Sequence, residues 1–356
     1  MKKIIIVFLA LFLVVPLYSQ EDEVIKVGTI SAKRGERVSG KLLVEEGIDA
    51  GSFIPITIIY GQKPGPVLTL SAGVHGTEYV PVIALQRILK EIDPAELSGI
   101  LVLVQIANIP SFLGRAAYYS PVDQKNPNRV FPGKADGTFS ERLTCTLSNE
   151  IFGKSDYYID LHGGEFNESL LNYLYFTYGC PDTEICRKSK KLAHAMGNKY
   201  LIPYDYSSIP PDSLPSQYSD NEAMRQGVPA IVVEFGDMGV VDSEILEFAV
   251  KGIKNVMKTI GMLEGEPFVV ENPTYILDEY VLLSDSDGIF YSLVDKGAHV
   301  KKDELLGYVT DYWGNRIQEF RTPISGIVVL TLIAPAVNKG EQVIKVAKVA
   351  DNYNLE

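Results

Sequence analysis

The chain has 356 residues, more than the roughly 250–300 at which a single hydrophobic core stops growing, so a main domain and a smaller second one are expected. An apolar fraction of 46%, a charged fraction of 22% and no low-complexity tract describe a packed chain and exclude a disordered one. The formal net charge of −12 argues against nucleic acid and anionic membrane surfaces as partners.

At the start, Lys2 and Lys3 precede an apolar run from Ile4 to Val15 and then Pro16, the anatomy of a secretory signal peptide over residues 1–19. The run is shorter than the roughly 20 residues a membrane span needs. The expectation is therefore an exported protein, periplasmic or extracellular, with no membrane span once the signal is removed. Removal takes away two lysines and no acid, moving the net charge from −12 to −14. Cys145, Cys180 and Cys186 have no metal-like spacing and read as packing residues with at most one bridge, Cys180–Cys186, which an oxidising compartment would permit.

From Val24 to about Gly61 the text alternates and predicts strands joined by glycine turns. A strand from Val67 (VLTLSAG), a helix from about Tyr79 to Ile92 and a strand from Ile100 (ILVLVQIAN) follow. Further strands are expected at Tyr157–Leu161 and Ala230–Glu234, with helices at Phe139–Phe152, Thr183–Met196 and Ser243–Leu263. Strands alternating with helices predict an α/β fold, a mixed, mostly parallel sheet with helices on both faces, over residues 20–266. Tyr173, Tyr175 and Tyr178 lie in an apolar strand-like stretch and read as packing residues rather than substrate contacts. Near Glu266–Thr274 the character changes, and residues 267–356 hold no good helix. Two copies of one short-strand unit, beginning at Gly288 and Gly326, predict a small all-β barrel or sandwich there. It resembles the hammerhead fold of lipoyl and biotinyl carriers, without a lysine in an exposed carrier turn, so a structural role is expected.

His75-Gly76-Thr77-Glu78 stands where a strand ends and a helix begins, and on a first helical turn the two ligand-type side chains would face one way. His162 follows the strand YYIDL, and Glu234 ends AIVVE. Ligands in parallel sheets gather at the carboxyl ends of strands, so distance in sequence is no objection. Two imidazoles and a carboxylate are the ligand set of catalytic zinc sites that keep a position open for water, so His75, Glu78 and His162 are the candidate ligands for one Zn2+. Glu234 is the candidate base, placed to take a proton from water and deliver it to a departing nitrogen. Asn128 and Arg129, in a loop between strands, offer an amide and a planar guanidinium suited to a carboxylate. The partner expected is a small acidic or carboxylate-bearing substrate. His194 and His299 read as uninvolved, and a homo-oligomer is left open.

These strings, His75-x-x-Glu78, Asn128-Arg129-Val-Phe-Pro-Gly, Asp160-Leu-His162 and Val-Glu234-Phe-Gly, resemble the succinylglutamate desuccinylase/aspartoacylase family, relatives of the carboxypeptidase A type. The likeness runs from roughly Lys26 to the C-terminus. It implies a zinc amidohydrolase of N-acyl amino acids with His75, Glu78 and His162 as ligands, Glu234 as base, Asn128 with Arg129 on the substrate carboxylate, and a tail that narrows access. Where family members carry an arginine before the Asn-Arg pair, this chain has Tyr118, with Arg115 three residues upstream as the substitute candidate. Pro127 replaces a leucine, and Glu165 stands where a small or neutral residue is expected; its carboxylate would oppose an acidic acyl group. A metallocarboxypeptidase acting on peptides or cell-wall stem peptides, and a non-catalytic zinc-scaffold binding protein, are the alternative readings.

Overall fold

A computed structural model describes residues 24–351 and residue 353; the expected signal segment lies outside the described residues. After a short antiparallel hairpin, Val24–Val27 with Ile30–Lys33, the main sheet is built from β1 (Arg37–Val44), β2 (Ser52–Tyr60), β3 (Lys63–Ala72), β4 (Ser98–Val104), β5 (Tyr157–His162), β6 (Tyr173–Tyr178), β7 (Tyr200–Asp205) and β8 (Ala230–Glu234). Their spatial order is β7-β6-β8-β5-β3-β4-β2-β1. The pairs β4/β3, β3/β5, β5/β8 and β6/β7 are parallel, whereas β8/β6, β2/β4 and β1/β2 are antiparallel. The centre of the sheet is parallel as the text predicts, and β5 reads as an almost unbroken buried run because both its faces are covered.

Side chains alternate across the sheet, and this divides the interior into two cores. Leu68, Leu70, Leu101, Leu103, Ile159 and Leu161 share one with helices α1 (Tyr79–Glu91), α3 (Thr183–Met196) and α5 (Ser243–Thr259). Ile54, Ile56, Ile58, Val102 and Val104 share the other with α2 (Phe139–Glu150) and α4 (Ser219–Arg225). Among the described residues no helix is long and apolar enough to cross a membrane. A Cys180–Cys186 disulfide closes the turn between β6 and α3, and Cys145 is free.

The tail begins with β9 (Thr274–Leu283) and continues through β10 (Gly326–Leu332) and β11 (Gln342–Ala350). These strands do not form a separate sheet: β9 pairs in parallel with β7 at Tyr200 and Leu201, so the main sheet runs on into the tail as a 13-stranded whole. A second, four-stranded antiparallel sheet packs against this extension around Phe290, Leu306, Val309, Phe320, Val328 and Val346. Contact between β7 and β9 stops after two residue pairs. The next residues of β7 include Pro203, which has no N–H to offer along that edge. Where the two strands part, a cleft opens.

Candidate metal centre and active-site cleft

The cleft, of about 1470 Å3, is lined by the carboxyl ends of the central strands, by the 124–130 loop and by the tail. His75, Glu78, His162, Asn128, Arg129 and Glu234 all border it. Arg115 does not: it is exposed, in the left-handed conformation at the end of the short helix Ile109–Gly114. His194, half-buried in α3, and His299, exposed on the tail, are also apart from the cleft.

One expectation about local structure needs correction. His75 and Glu78 are not on a helical turn, because α1 begins at Tyr79 with Glu78 as its non-helical N-cap (φ −86°, ψ 77°). The segment 73–78 is a loop that turns back on itself, held by Gly76 N–H donating to the Ala116 carbonyl at 3.0 Å. A Cβ at Gly76 would lie 2.1 Å from the Ser111 carbonyl oxygen, so only glycine fits there. The loop brings both side chains to one point by this close approach rather than by helical spacing.

Glu78 bridges the two imidazoles, with Oε1 2.7 Å from His75 Nδ1 and Oε2 3.0 Å from His162 Nδ1. All three side chains are buried, and donor atoms of the trio lie within 4.8 Å of one another, close enough to share an ion. The far nitrogens are held as well. His75 Nε2 donates to Asn126 Oδ1 at 3.0 Å, and His162 Nε2 to Asp160 Oδ2 at 2.9 Å. Each ring is thereby fixed with Nδ1 facing the common point, the arrangement that orients imidazole ligands in metal sites. Asp160 also accepts from the Ser219 hydroxyl, so the first turn of α4 supports the second ligand indirectly.

Protonation follows from this packing. Burial opposes charge on both histidines, but the Glu78 carboxylate, and for His162 also Asp160, outweighs it and raises both above their ordinary value. Burial likewise opposes ionisation of Glu78, yet the two imidazoles pull it down to about 2. The carboxylate thus favours protonation of both rings, and a divalent cation could replace the Nδ1 protons.

Glu234 is in register with His162 across the parallel β8/β5 pair. Burial pushes its carboxyl up to about 8, with Glu78 and Glu168 adding to the effect. Glu165, fully buried, is pushed up to about 7 by burial and by Glu78; it accepts from the Thr77 hydroxyl and, at 2.8 Å, from Tyr118 N–H. The Tyr118 hydroxyl donates to Glu168 at 2.8 Å and lines the cleft.

Asn128 and Arg129 face different ways. Asn128 is buried, its Oδ1 accepting from Ser219 N–H at 3.0 Å and its Nδ2 3.3 Å from His162 Nε2. Arg129 is exposed, with its guanidinium 4.6 Å from the centre of the Tyr218 ring and Nη1 donating to the Asn128 carbonyl. Tyr173, Tyr175 and Tyr178 do more than pack, since all three also line the cleft. The supporting roles of Asn126 and Ser219 carry no signal in the sequence: an asparagine and a serine in loops acquire meaning only from what they touch.

Residues 64–260, more than half of the chain, match the model of the succinylglutamate desuccinylase/aspartoacylase catalytic domain. The N-alpha-acetyl-L-2,4-diaminobutyric acid deacetylase of Halomonas elongata is 27% identical over 307 residues, covering 84% of this chain and 87% of that one. Among solved structures, a succinylglutamate desuccinylase from a Silicibacter species superposes with a TM-score of 0.79 at 24% identity, over 92% of this chain and all of that one. The product-bound ectoine utilization protein of Ruegeria pomeroyi gives 0.80 at 24% identity, with the same coverage. The match to the catalytic model spans the loop, strand ends and helices that assemble the His75, Glu78 and His162 cluster, and the chain belongs to the succinylglutamate desuccinylase/aspartoacylase family.

Proposed function

We propose that this protein is an exported zinc-dependent deacylase that cleaves the amide of a small N-acyl amino acid or a related carboxylate-bearing amide. The observation that carries this reading is the convergence of His75, Glu78 and His162 beside Glu234 at the head of one cleft. Two nitrogens and a carboxylate suit a catalytic zinc ion with an open position, which when bound would polarise the scissile carbonyl and acidify water. Glu234, once ionised, takes a proton from the attacking water as its oxygen bonds to the carbonyl carbon. The same carboxyl then gives the proton to the nitrogen as the C–N bond breaks, leaving a carboxylic acid and an amine. The deacetylase of Halomonas elongata supports an N-acyl amino acid as substrate. Export is supported by the basic and apolar character of residues 1–19 and by the Cys180–Cys186 bridge, which suits an oxidising compartment.

The test is zinc content together with hydrolysis of N-acetyl and N-succinyl amino acids by the purified protein. Glu234→Gln is expected to keep its zinc and to lose about 10²–10⁴-fold in turnover. A variant that hydrolyses at the wild-type rate would remove Glu234 as base. The cleft exceeds the roughly 300–1,000 Å3 usual for small ligands, which favours a carboxypeptidase as the second reading; faster cleavage of short peptides than of acyl amino acids would select it.

A further inference from the structure

Recognition of a carboxylate needs a cation that faces the cleft and is not already spent. Among the described residues, three lysine or arginine side chains line the cleft: Lys125, Arg129 and Lys345. Lys125 is partly exposed and pairs with Glu141 at 3.1 Å. Arg129 lies at the surface, on the Tyr218 ring. Lys345, from the tail strand β11, is the most enclosed of the three, with its side chain 14% exposed.

The backbone around Lys345 is arranged irregularly. A bulge between Val328 and Leu330 in β10 leaves Leu330 opposite Lys345. A second bulge, at Asp278 in β9, where φ is +41°, turns Glu279 so that its Oε1 stands 3.3 Å from Lys345 Nζ. Bulges of this kind re-aim side chains. Lys345 lies within electrostatic reach of Tyr175, of Glu234 and of Glu168, all of which line the same cleft. Burial opposes its charge, but the Tyr175 and Glu279 oxygens outweigh this and keep it cationic. The remaining walls are strongly acidic, with nine Asp and Glu side chains lining the same cleft. Acids so outnumber cations along this cleft that a carboxylate ligand needs an enclosed cation to hold it there. A single long pair with Glu279 leaves the other ammonium protons of Lys345 available for it.

We propose that Lys345, aimed by Glu279, is the anchor for the substrate's carboxylate, and that the tail thereby supplies a specificity residue to the active site. This rests on the deacylase reading for what the substrate is, but binding tests it separately from turnover. The experiment is calorimetric titration of chelator-treated full-length protein with an N-acetyl amino acid and with its C-terminal carboxamide. Wild type is expected to bind the acid at least tenfold more tightly than the amide. Lys345→Met should bring that ratio near one, Lys345→Arg should keep most of it, and melting curves should show both variants folded. If the folded Lys345→Met protein keeps the preference, or if wild type has none, the proposal is overturned. A preserved acid preference without hydrolysis of any acyl amino acid would sink the deacylase reading and leave the anchor standing.

Discussion

The head of the cleft and its far wall are built on different principles. At the head, the candidate ligands are held inside the protein: Glu78 spans two imidazoles, Asn126 and Asp160 hold their far nitrogens, and Ser219 holds Asp160. At the far wall, Lys345 has one long pair, with Glu279. A closed network fixes geometry, which a metal ion demands; a wall with spare donors can discriminate between ligands, because a buried donor left unpaired penalises the wrong one.

This contrast can be broken most directly by His162→Ala. It should abolish metal binding and hydrolysis together, as measured by metal content and turnover of the same preparation. Metal retained at wild-type stoichiometry would show that the trio is not the binding site. Next in size, Asp160→Asn keeps the ring in place but weakens its support, and metal affinity should fall about 10–100-fold in a competition titration.

The pH dependence of the metal-free protein sharpens the same comparison. An unfolded chain loses its glutamate protons near the ordinary 4.5, whereas folded Glu165 and Glu234 hold theirs to about 7 and about 8. The folded state thus binds more protons between these values, and stability falls as pH rises. His75 and His162, raised in the folded state, act in the same direction above their ordinary value of 6.5. Glu78, held at about 2, instead withdraws stability as pH falls below 4.5. Chelator-treated protein should therefore melt at lower temperature at pH 8 than at pH 5, with a shallower slope in Glu234→Gln. Added zinc should raise the melting point most at pH 8, where fewer protons compete with it. The smallest effect is expected for Arg129→Met: an exposed cation on a ring should cost less than tenfold in KM, and a larger loss would move carboxylate recognition to the mouth.

Much of the head of the cleft was legible in the text. His75, His162 and Glu234 each follow a short apolar run, and in a parallel sheet such runs end at one edge. The loop holding His75 and Glu78 was misread as helix because the i, i+3 spacing suits both, and the difference lies in a close approach of Gly76 to the Ser111 carbonyl that no spacing records. β7 escaped notice because Pro203 and its polar neighbours Tyr204 and Asp205 do not read as a strand. Arg115 is a sound cation by type, yet the end of its short helix directs it to solvent.

The sequence alone determined the alternation of strands and helices, and with it the parallel centre of the sheet and the edge where its chemistry gathers, because side-chain periodicity and strand direction are local properties. Only the tertiary structure decided that β9 joins the edge of that sheet for two residue pairs and then departs, opening the cleft and presenting Lys345 to it. Register between strands some seventy residues apart in the chain depends on bulges and on the packing of distant side chains, and these have no period for a text to carry.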